Sequence, residues 1–261
     1  MTQPAPIVLV SPAMGIGSRY YRLLVAEFES RGWSARALTR RGFEPDSPPA
    51  ARGRDWSYDD EITDMAGAVA RARTETPGRP VILLGHSLGG QLAVGHQLHH
   101  PPADGVVTVG SALPWHRDYP MRGLPILLMA GAIVPALTGL FGFLPKPAFG
   151  GPGARTMMRE WARMAVTGRT PFPSPGPVTS PSLLVSLEGD RLAPEPAVDT
   201  FATRHFSAPA LTRWHYRNAD VPPGASNDHI GWARKPAPVV DHVIAWWATT
   251  TAPHHPSAAT R

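Results

Sequence analysis

The sequence lacks cysteine altogether and has only two lysines, Lys146 and Lys235, among 261 residues. Without cysteine the chain has no disulfide, no thiolate metal site and no cysteine nucleophile. Charged residues make up 17% of the chain, which is low for a soluble domain. The formal net charge of +5 comes from scattered arginines. Because these arginines form no basic stripe with interleaved aromatic residues, we expect no nucleic-acid partner.

The N-terminal segment lacks the features of a secretory signal. Residues 1–6, MTQPAP, contain no basic side chain. The apolar run IVLVS that follows at 7–11 is too short to form the hydrophobic core of a signal peptide. We therefore expect a cytoplasmic protein.

Six short apolar runs recur along the chain, at 7–11, 34–38, 81–85, 105–109, 183–187 and 211–216. The first, third, fourth and fifth are unbroken runs of leucine and β-branched residues, a pattern typical of strands covered on both faces in a parallel sheet. Amphipathic stretches of helical length lie between the runs, at 19–31, 60–73 and 88–99. This alternation predicts an α/β fold with a doubly wound, mostly parallel sheet.

One long segment interrupts the alternation between two late strands. Within it, residues 123–145 contain no charged side chain. That length is sufficient to span a bilayer, but Pro125, Pro135 and Pro145 interrupt it and predicted sheet strands flank it. We therefore predict helical hairpins that cover the sheet as an apolar lid, with membrane contact of this segment as the less favoured alternative. The chain then divides into a core, a lid and a loose C-terminal tail: 1–111 with 182–250, 112–181, and 251–261.

The segment 81–90, VILLGHSLGG, places a serine where a buried apolar run ends. Residues 85–89 match the pattern G-x-S-x-G between a predicted strand and a predicted helix, as a nucleophile elbow requires. Glycines on both sides let neighbouring backbones approach a tight turn. Such a turn exposes the hydroxyl at the carboxyl edge of the sheet, beside free N–H groups of the helix. We therefore predict that Ser87 is a nucleophile, and a serine that only caps the helix is the alternative.

A serine nucleophile needs a base, and a histidine base needs a carboxylate to orient it. Among the eleven histidines, His229 follows the last apolar run across a loop rich in proline and glycine. Asp190 follows the fifth run at the same predicted edge of the sheet. The chain order Ser87, Asp190, His229 is one in which such triads occur on α/β sheets. Glu188 and Asp118 are the alternatives for the acid.

Acyl transfer also requires hydrogen-bond donors for an oxyanion. One predicted donor is the backbone N–H of Leu88, directly after the nucleophile. The other is expected from the turn SPAMG at 11–15, where small residues let the backbone approach a substrate. Met14 is the predicted donor in this turn, and Ala13 is the alternative.

With these motifs the sequence resembles the α/β-hydrolase superfamily, and more narrowly the bacterial α/β hydrolases related to serine aminopeptidase-like and monoglyceride-lipase-like enzymes. The resemblance covers nearly the whole chain and is carried by SPAMGIGSRYYRLL, TRRGF, VILLGHSLGGQL, LLVSLEGDRLAP and DHIGWAR. It implies an α/β-hydrolase fold and the triad Ser87, Asp190 and His229. The sequence departs from the family where Pro12-Ala13 replaces the usual His-Gly, and where Thr39 replaces an acidic residue.

The motifs and the resemblance together predict a serine hydrolase of the carboxylesterase, lipase or thioesterase kind. We expect it to cleave a small-molecule ester or thioester with an apolar moiety through an acyl-enzyme, without a cofactor or a metal. Phe141, Phe143 and Trp161 are predicted to line the substrate site, and packing of the lid is their alternative role. The alternative function is a non-acylating lyase, carbon–carbon bond hydrolase or cyclase that uses the triad as acid and base.

Overall fold

A six-stranded parallel sheet forms the centre of the protein, in a computed structural model that describes residues 4–250. The tail predicted at 251–261 lies outside the described residues. The strand bounds are Ile7–Ser11 (β1), Ser34–Ala37 (β2), Val81–His86 (β3), Gly105–Val109 (β4), Ser182–Leu187 (β7) and Leu211–Tyr216 (β8). The strands lie in the order β2-β1-β3-β4-β7-β8, and all neighbouring pairs are parallel. The predicted α/β fold with a doubly wound, mostly parallel sheet is therefore confirmed.

The central strands are buried on both faces of the sheet. Every residue of β1, β3, β4 and β7 is buried. Side chains alternate between two hydrophobic clusters, so that Ile7 and Leu9 join one cluster while Val8 and Val10 join the other. Both faces of the sheet therefore need a covering layer of helices.

Helices supply that layer on each face. Their bounds are Arg22–Ser30 (α1), Tyr58–Glu75 (α2), Leu88–His99 (α3), Glu195–His205 (α6) and Ala237–Thr250 (α7). Leu24, Phe28 and Val243, from helices α1 and α7, pack on the face that carries Val8. Ile62 and Leu92, from helices α2 and α3, pack on the opposite face, together with helix α6.

The starts of α2 and α3 differ in a way that matters for the site. Helix α2 begins at a capping box, in which Ser57 and Asp60 each accept a hydrogen bond from the other's backbone N–H. Helix α3 begins directly after Ser87 with no side-chain cap. The first N–H groups of α3 are therefore left free at the carboxyl edge of the sheet.

Residues 112–181, called the insert below, lie between β4 and β7. They contain two longer helices, which pack together through Ala130, Val134, Met158 and Ala162. A small antiparallel hairpin also forms here, where the sequence predicts no strand. The bounds are Gly123–Phe141 (α4, with a π-helical turn at Met129–Ile133), Phe143–Leu144 (β5), Gly153–Ala154 (β6) and Arg155–Thr167 (α5).

Candidate active site

Three side chains meet at the carboxyl edge of the sheet. Ser87 directly follows β3, Asp190 follows β7 after a short turn, and His229 lies in the loop after β8. Nε2 of His229 lies 3.0 Å from Oγ of Ser87. Nδ1 of His229 lies 2.6 Å from Oδ2 of Asp190. The structure thus brings together the three side chains from the sequence-derived triad in the order acid, imidazole, hydroxyl.

The Asp190 carboxylate determines which ring nitrogen of His229 carries the hydrogen. An ionised carboxylate can only accept, so Nδ1 of His229 carries the hydrogen that Asp190 accepts. In the neutral imidazole Nε2 of His229 then carries no hydrogen and can accept the hydrogen bond from the Ser87 hydroxyl. The arrangement is that of a neutral imidazole base placed to remove a proton from the serine.

The backbone of Ser87 is strained into the left-handed region, with φ of 53° and ψ of −115°. Its N–H donates to the carbonyl of Val109 at 3.0 Å, which anchors the turn to β4. Glycine is required around it, because a Cβ at Gly89 would lie 2.1 Å from the carbonyl oxygen of Ser11. A Cβ at Gly85 would in the same way lie 2.4 Å from the backbone of Gly89. The tight turn aims the serine side chain away from the sheet, as a nucleophile elbow does.

The carboxylate of Asp190 is almost fully buried and is held by backbone donors. Its Oδ1 accepts hydrogen bonds from the N–H groups of Leu192 at 2.7 Å and Ala193 at 2.9 Å. The remaining oxygen, Oδ2, faces His229. Gly110, with φ of 57°, passes so close that a Cβ there would lie 2.8 Å from Oδ2. These contacts leave the carboxylate one orientation, toward the imidazole.

The loop that carries His229 is braced on both sides of the histidine. Oδ1 of Asp228 accepts hydrogen bonds from the N–H groups of Ile230 and Gly231. The hydroxyl of Tyr20 donates to the carbonyl of Ile230 at 2.8 Å. On the other side, the Asn227 side chain donates to the carbonyl of Tyr216 at 3.0 Å. The imidazole is therefore placed by the loop and does not have to swing into position.

A second, fully buried hydrogen-bonded chain runs beneath the first. Nε2 of His86 lies 2.7 Å from the carbonyl oxygen of His229, which can only accept, so Nε2 carries the hydrogen. Nδ1 of His86 then accepts from the hydroxyl of Tyr21, 2.7 Å away. The Tyr21 oxygen in turn accepts from the N–H of Ala13 at 2.9 Å. This chain ties the turn after β1 to the loop that carries His229.

Burial keeps both side chains of this second chain neutral. It lowers the pKa of His86 well below its ordinary value, with His229 adding a smaller effect in the same direction. Burial also raises the pKa of the Tyr21 hydroxyl. Each group therefore keeps the protonation state that its hydrogen bonds require.

The second set of hydrogen bonds distinguishes the backbone N–H groups of Ala13 and Met14, the two candidate donors in the turn after β1. The N–H of Ala13 is already engaged by Tyr21. Within residues 4–250, the N–H groups of Met14 and Leu88 donate to no acceptor, and both residues border the cavity at Ser87. Leu88 also opens helix α3, where the helix dipole favours negative charge. The geometry favours Met14 and Leu88, and not Ala13, as the pair that faces an oxyanion.

Arg40 and Glu61 support the same turn from below, a role that the sequence did not reveal. The guanidinium of Arg40, which is 2% exposed, donates to the carbonyl of Pro12 and to Oε2 of Glu61 at 2.7 Å. Burial raises the pKa of Glu61, an effect that the neighbouring Arg40 opposes. The signal in the sequence is the arginine pair of TRRGF, whose first member is buried while Arg41 pairs with Asp64 at the surface.

An apolar cavity of about 570 Å³ opens over Ser87. Its floor includes Met14 and Leu88, and Arg122 and Arg191 border it. Its roof comes from the insert and consists of Pro125, Ile126, Met129, Phe149 and Trp161.

The aromatic residues predicted to line this cavity divide into two groups. Trp161 borders the cavity, whereas Phe141 and Phe143 do not border it. Phe141 ends α4 on its outer side and is 41% exposed, while Phe143 packs against the main core from β5. Phe149, which the sequence analysis missed, packs on Trp161 with ring centroids 4.9 Å apart. It reaches the cavity because the segment between β5 and β6 lies against the turn after β1, where a Cβ at Gly15 would lie 2.0 Å from the carbonyl oxygen of Phe149.

The alternative acids point elsewhere. Glu188 accepts a hydrogen bond from the N–H of Asn218 at 2.6 Å, next to β8. The Asp118 side chain interacts with Thr200 and Arg204, and burial raises its pKa. Within the part of the chain that the structure describes, the carboxylate bonded to His229 is that of Asp190.

A family model and several solved structures resemble this chain. The family described as serine aminopeptidase, S33, matches residues 2–146, which is more than half of the 261-residue chain. No curated protein matches the sequence significantly.

Solved structures share the fold at low sequence identity. One of the two metagenome-derived lipolytic enzymes LipS and LipT is 15% identical, with a TM-score of 0.59 over 95% of this chain and 96% of its own. The monoacylglycerol lipase of Paleococcus ferrophilus is 15% identical, with a TM-score of 0.58 over 93% of this chain and 96% of its own. A bromoperoxidase from Bacillus anthracis is 14% identical, with a TM-score of 0.59 over 93% of this chain and 92% of its own. With the parallel sheet and the family match, these likenesses show that the chain belongs to the α/β-hydrolase superfamily, in the family described as serine aminopeptidase, S33.

Proposed function

We propose that this protein is a serine hydrolase that cleaves an ester or thioester with an apolar moiety through an acyl-enzyme. The observation that carries the proposal is the chain of hydrogen bonds from Asp190 through His229 to Ser87, which ends beneath an apolar cavity. Without His229 the hydroxyl has no base to activate it, and without Asp190 the imidazole loses the carboxylate that orients it. Family membership supports hydrolase chemistry, while the ester or thioester specificity is inferred from the cavity.

Acylation begins when Nε2 of His229 takes the proton from Oγ of Ser87 as this oxygen attacks the substrate carbonyl carbon. The carbonyl oxygen becomes an oxyanion, which the N–H groups of Met14 and Leu88 stabilise. Asp190 stabilises the imidazolium that forms and holds its tautomer. The tetrahedral intermediate then collapses. His229 returns its proton to the departing alcohol or thiol, and the acyl group remains on Ser87.

Deacylation repeats these steps with water. His229 removes a proton from water as the water oxygen attacks the acyl carbon. The same two N–H groups stabilise the second oxyanion. The intermediate expels Ser87, whose oxygen recovers the proton from His229, and the free acid leaves.

The cavity supports an apolar substrate moiety. Its roof presents Ile126, Met129, Phe149 and Trp161, and none of these side chains is charged. Sites lined in this way bind apolar groups and exclude water from the reaction. We propose that the insert acts as a lid, because its residues form the roof above Ser87.

The test compares Ser87→Ala with a matched control, Ser30→Ala, whose hydroxyl lies on the surface of α1. Ser87→Ala is expected to lose fluorophosphonate labelling and to lower kcat on short p-nitrophenyl esters by roughly 10⁴-fold or more. Ser30→Ala is expected to behave like the parent protein. Undiminished ester turnover by Ser87→Ala would refute the mechanism. Activity that depends on Ser87 without a trapped acyl group would favour the non-acylating alternative.

A further inference from the structure

The outer face of helix α4 is apolar from end to end. This helix, Gly123–Phe141, has 19 residues, and its most apolar 18-residue window has a mean hydropathy of 2.1. Among the helices of the described residues it alone is long and apolar enough to cross a membrane. Only 17% of its most apolar window is buried. Leu124 is 77% exposed, Leu128 58% and Leu140 66%, and Met121 just before the helix is 94% exposed.

The exposed face is not the side by which the helix packs on the protein. Ala130, Val134 and Thr138 recur at four-residue spacing, are buried, and form the inner face. The hydroxyl of Thr138 is satisfied by the carbonyl of Val134 at 2.7 Å. All residues classed as exposed in the helix are apolar, glycine or proline. A helix with one buried face normally presents polar side chains to water on the other.

Arginines lie at both ends of this face, and the segment that forms it contains no acidic residue. Residues 119–159 contain no aspartate or glutamate. Three exposed arginines next to α4 donate to neutral oxygens: Arg52 to the carbonyl of Leu140, Arg159 to the hydroxyl of Thr138, and Arg122 to the carbonyl of Arg191. None of the three forms an ion pair within residues 4–250. An apolar face with a rim of uncompensated arginines complements an anionic lipid surface.

The same helix leads to the candidate active site. Pro125, Ile126 and Met129 of α4 form part of the cavity roof, while Leu124, Leu128 and Leu140 do not border the cavity. The outward-facing leucines and the cavity-facing residues therefore lie on different sides of one helix.

We propose that the outer face of α4 docks the protein on the surface of a membrane that contains anionic lipid. The helix lies along the interface and does not span it, because its inner face packs on Met158 and Ala162 of α5. Only one consequence of docking rests on the proposed function. If the protein hydrolyses an ester, docking implies that this ester is dissolved in the lipid phase. The docking itself requires no turnover.

Binding is tested by flotation of the full chain with vesicles, in a Ser87→Ala background so that lipid stays intact. Vesicles of phosphatidylcholine with phosphatidylglycerol are compared with phosphatidylcholine alone. The variant L124Q/L128Q/L140Q is expected to bind mixed vesicles at least about tenfold more weakly. The matched control Leu23→Gln changes an exposed leucine on α1 and is expected to bind like the parent. The variant R52Q/R159Q is expected to bind mixed vesicles about tenfold more weakly than the parent. Its binding to vesicles of phosphatidylcholine alone is expected to change little.

Three results would overturn the docking proposal: no vesicle binding by the parent, equal binding by the triple-glutamine variant, or equal loss in the Leu23→Gln control. A parent that dimerises through these leucines and ignores vesicles would assign the face to a second copy of the chain. The triple-glutamine variant is also made with Ser87 intact. Its turnover of a soluble p-nitrophenyl ester checks that it is folded. Vesicle binding without any turnover would reject the proposed hydrolase activity and leave the docking surface standing.

Discussion

The backbone carbonyl of His229 accepts a hydrogen bond from Nε2 of His86, 2.7 Å away, while the side chain of the same residue reaches Ser87. His86 is the residue directly before Ser87. Its side chain therefore helps to hold the backbone of His229 at a fixed position relative to Ser87. Through Tyr21 the same chain continues to the N–H of Ala13. The turn after β1, the strand end that carries Ser87 and the loop that carries His229 are therefore linked by one set of buried hydrogen bonds.

Tyr21→Phe tests this link. The variant removes the acceptor for the Ala13 N–H and the donor for Nδ1 of His86, and leaves both buried groups unpaired. We expect a loss of about 1–3 kcal/mol in the free energy of unfolding. Because the turn that presents Met14 loosens, kcat should fall about tenfold to a hundredfold with little change in KM. Steady-state kinetics and urea denaturation measure the two effects.

The matched control is Tyr216→Phe, since the Tyr216 hydroxyl is buried without a hydrogen-bond partner among the described residues. Its removal should leave kcat unchanged and cost no stability. An unchanged kcat in Tyr21→Phe, or an equal loss in both variants, would contradict a positioning role for Tyr21.

Asp190→Asn tests the orienting carboxylate. An amide presents an N–H group that cannot accept from Nδ1 of His229, which favours the wrong imidazole tautomer. We expect kcat on a soluble ester to fall roughly 10⁴-fold while the fold is retained. The matched control is Asp199→Asn, which changes an exposed carboxylate on α6. Turnover by Asp190→Asn close to that of this control would argue against Asp190 as the acid.

Gly89→Ala tests the close approach that shapes the elbow. The added Cβ would lie 2.1 Å from the backbone oxygen of Ser11, and backbone cannot move aside as a side chain can. We expect a loss of about 1–3 kcal/mol in stability, together with reduced kcat because the turn after β1 shifts.

Gly131→Ala is the comparison for this variant. A Cβ at Gly131 would meet no described atom within 4 Å, and the residue lies within helix α4. Gly131→Ala should therefore be neutral or up to about 1 kcal/mol more stable than the parent. Equal thermal midpoints for the two variants would rule out the steric account.

Buried His205 predicts a loss of stability in mild acid. Burial lowers its pKa to about 4, and neither ring nitrogen has a hydrogen-bond partner within residues 4–250. The unfolded chain binds this proton near pH 6.5 and the folded protein only near pH 4. Stability contributed by the neutral ring is therefore lost as pH falls from about 6.5 toward 4, by roughly 1–2 kcal/mol at pH 5.

His205→Leu should reduce this loss between pH 7 and pH 5, measured as the change in urea midpoint. His96 retains a similar effect, because burial lowers its pKa to about 4 as well. His99→Leu, which changes an exposed histidine of α3, should leave the pH dependence as it is in the parent. If His205→Leu loses as much stability between pH 7 and pH 5 as the parent, His205 is not a source of the acid sensitivity.

The fold and the proximity of the three candidate catalytic residues follow from local patterns. Ser87 and Asp190 lie shortly after apolar runs, and His229 follows the last run across a loop. Parallel strands bring their carboxyl ends to one edge of the sheet. The contacts of Tyr21 with His86 and of Arg40 with Pro12 join residues distant in sequence, and no periodic pattern encodes such pairs. The sequence leaves Ala13 open as a donor for the same reason, because its Tyr21 partner is set by tertiary packing.

The insert shows more clearly what the sequence does not determine. Its helical nature follows from its composition, but the facing of each aromatic side chain does not. Phe149, and not Phe141 or Phe143, borders the cavity because the segment between β5 and β6 lies against the turn after β1. Apolar composition alone also favours a covered α4, whereas the structure leaves its leucines exposed.

The most direct test of the central claim is rapid mixing of the parent protein with a slowly deacylating p-nitrophenyl ester, followed by acid quench and intact-mass measurement. The account predicts a mass increase equal to one acyl group, mapped by peptide digestion to Ser87, with a matching burst of p-nitrophenol. Turnover without any acylated Ser87 at any time point, or an acyl group on a different residue, would contradict it.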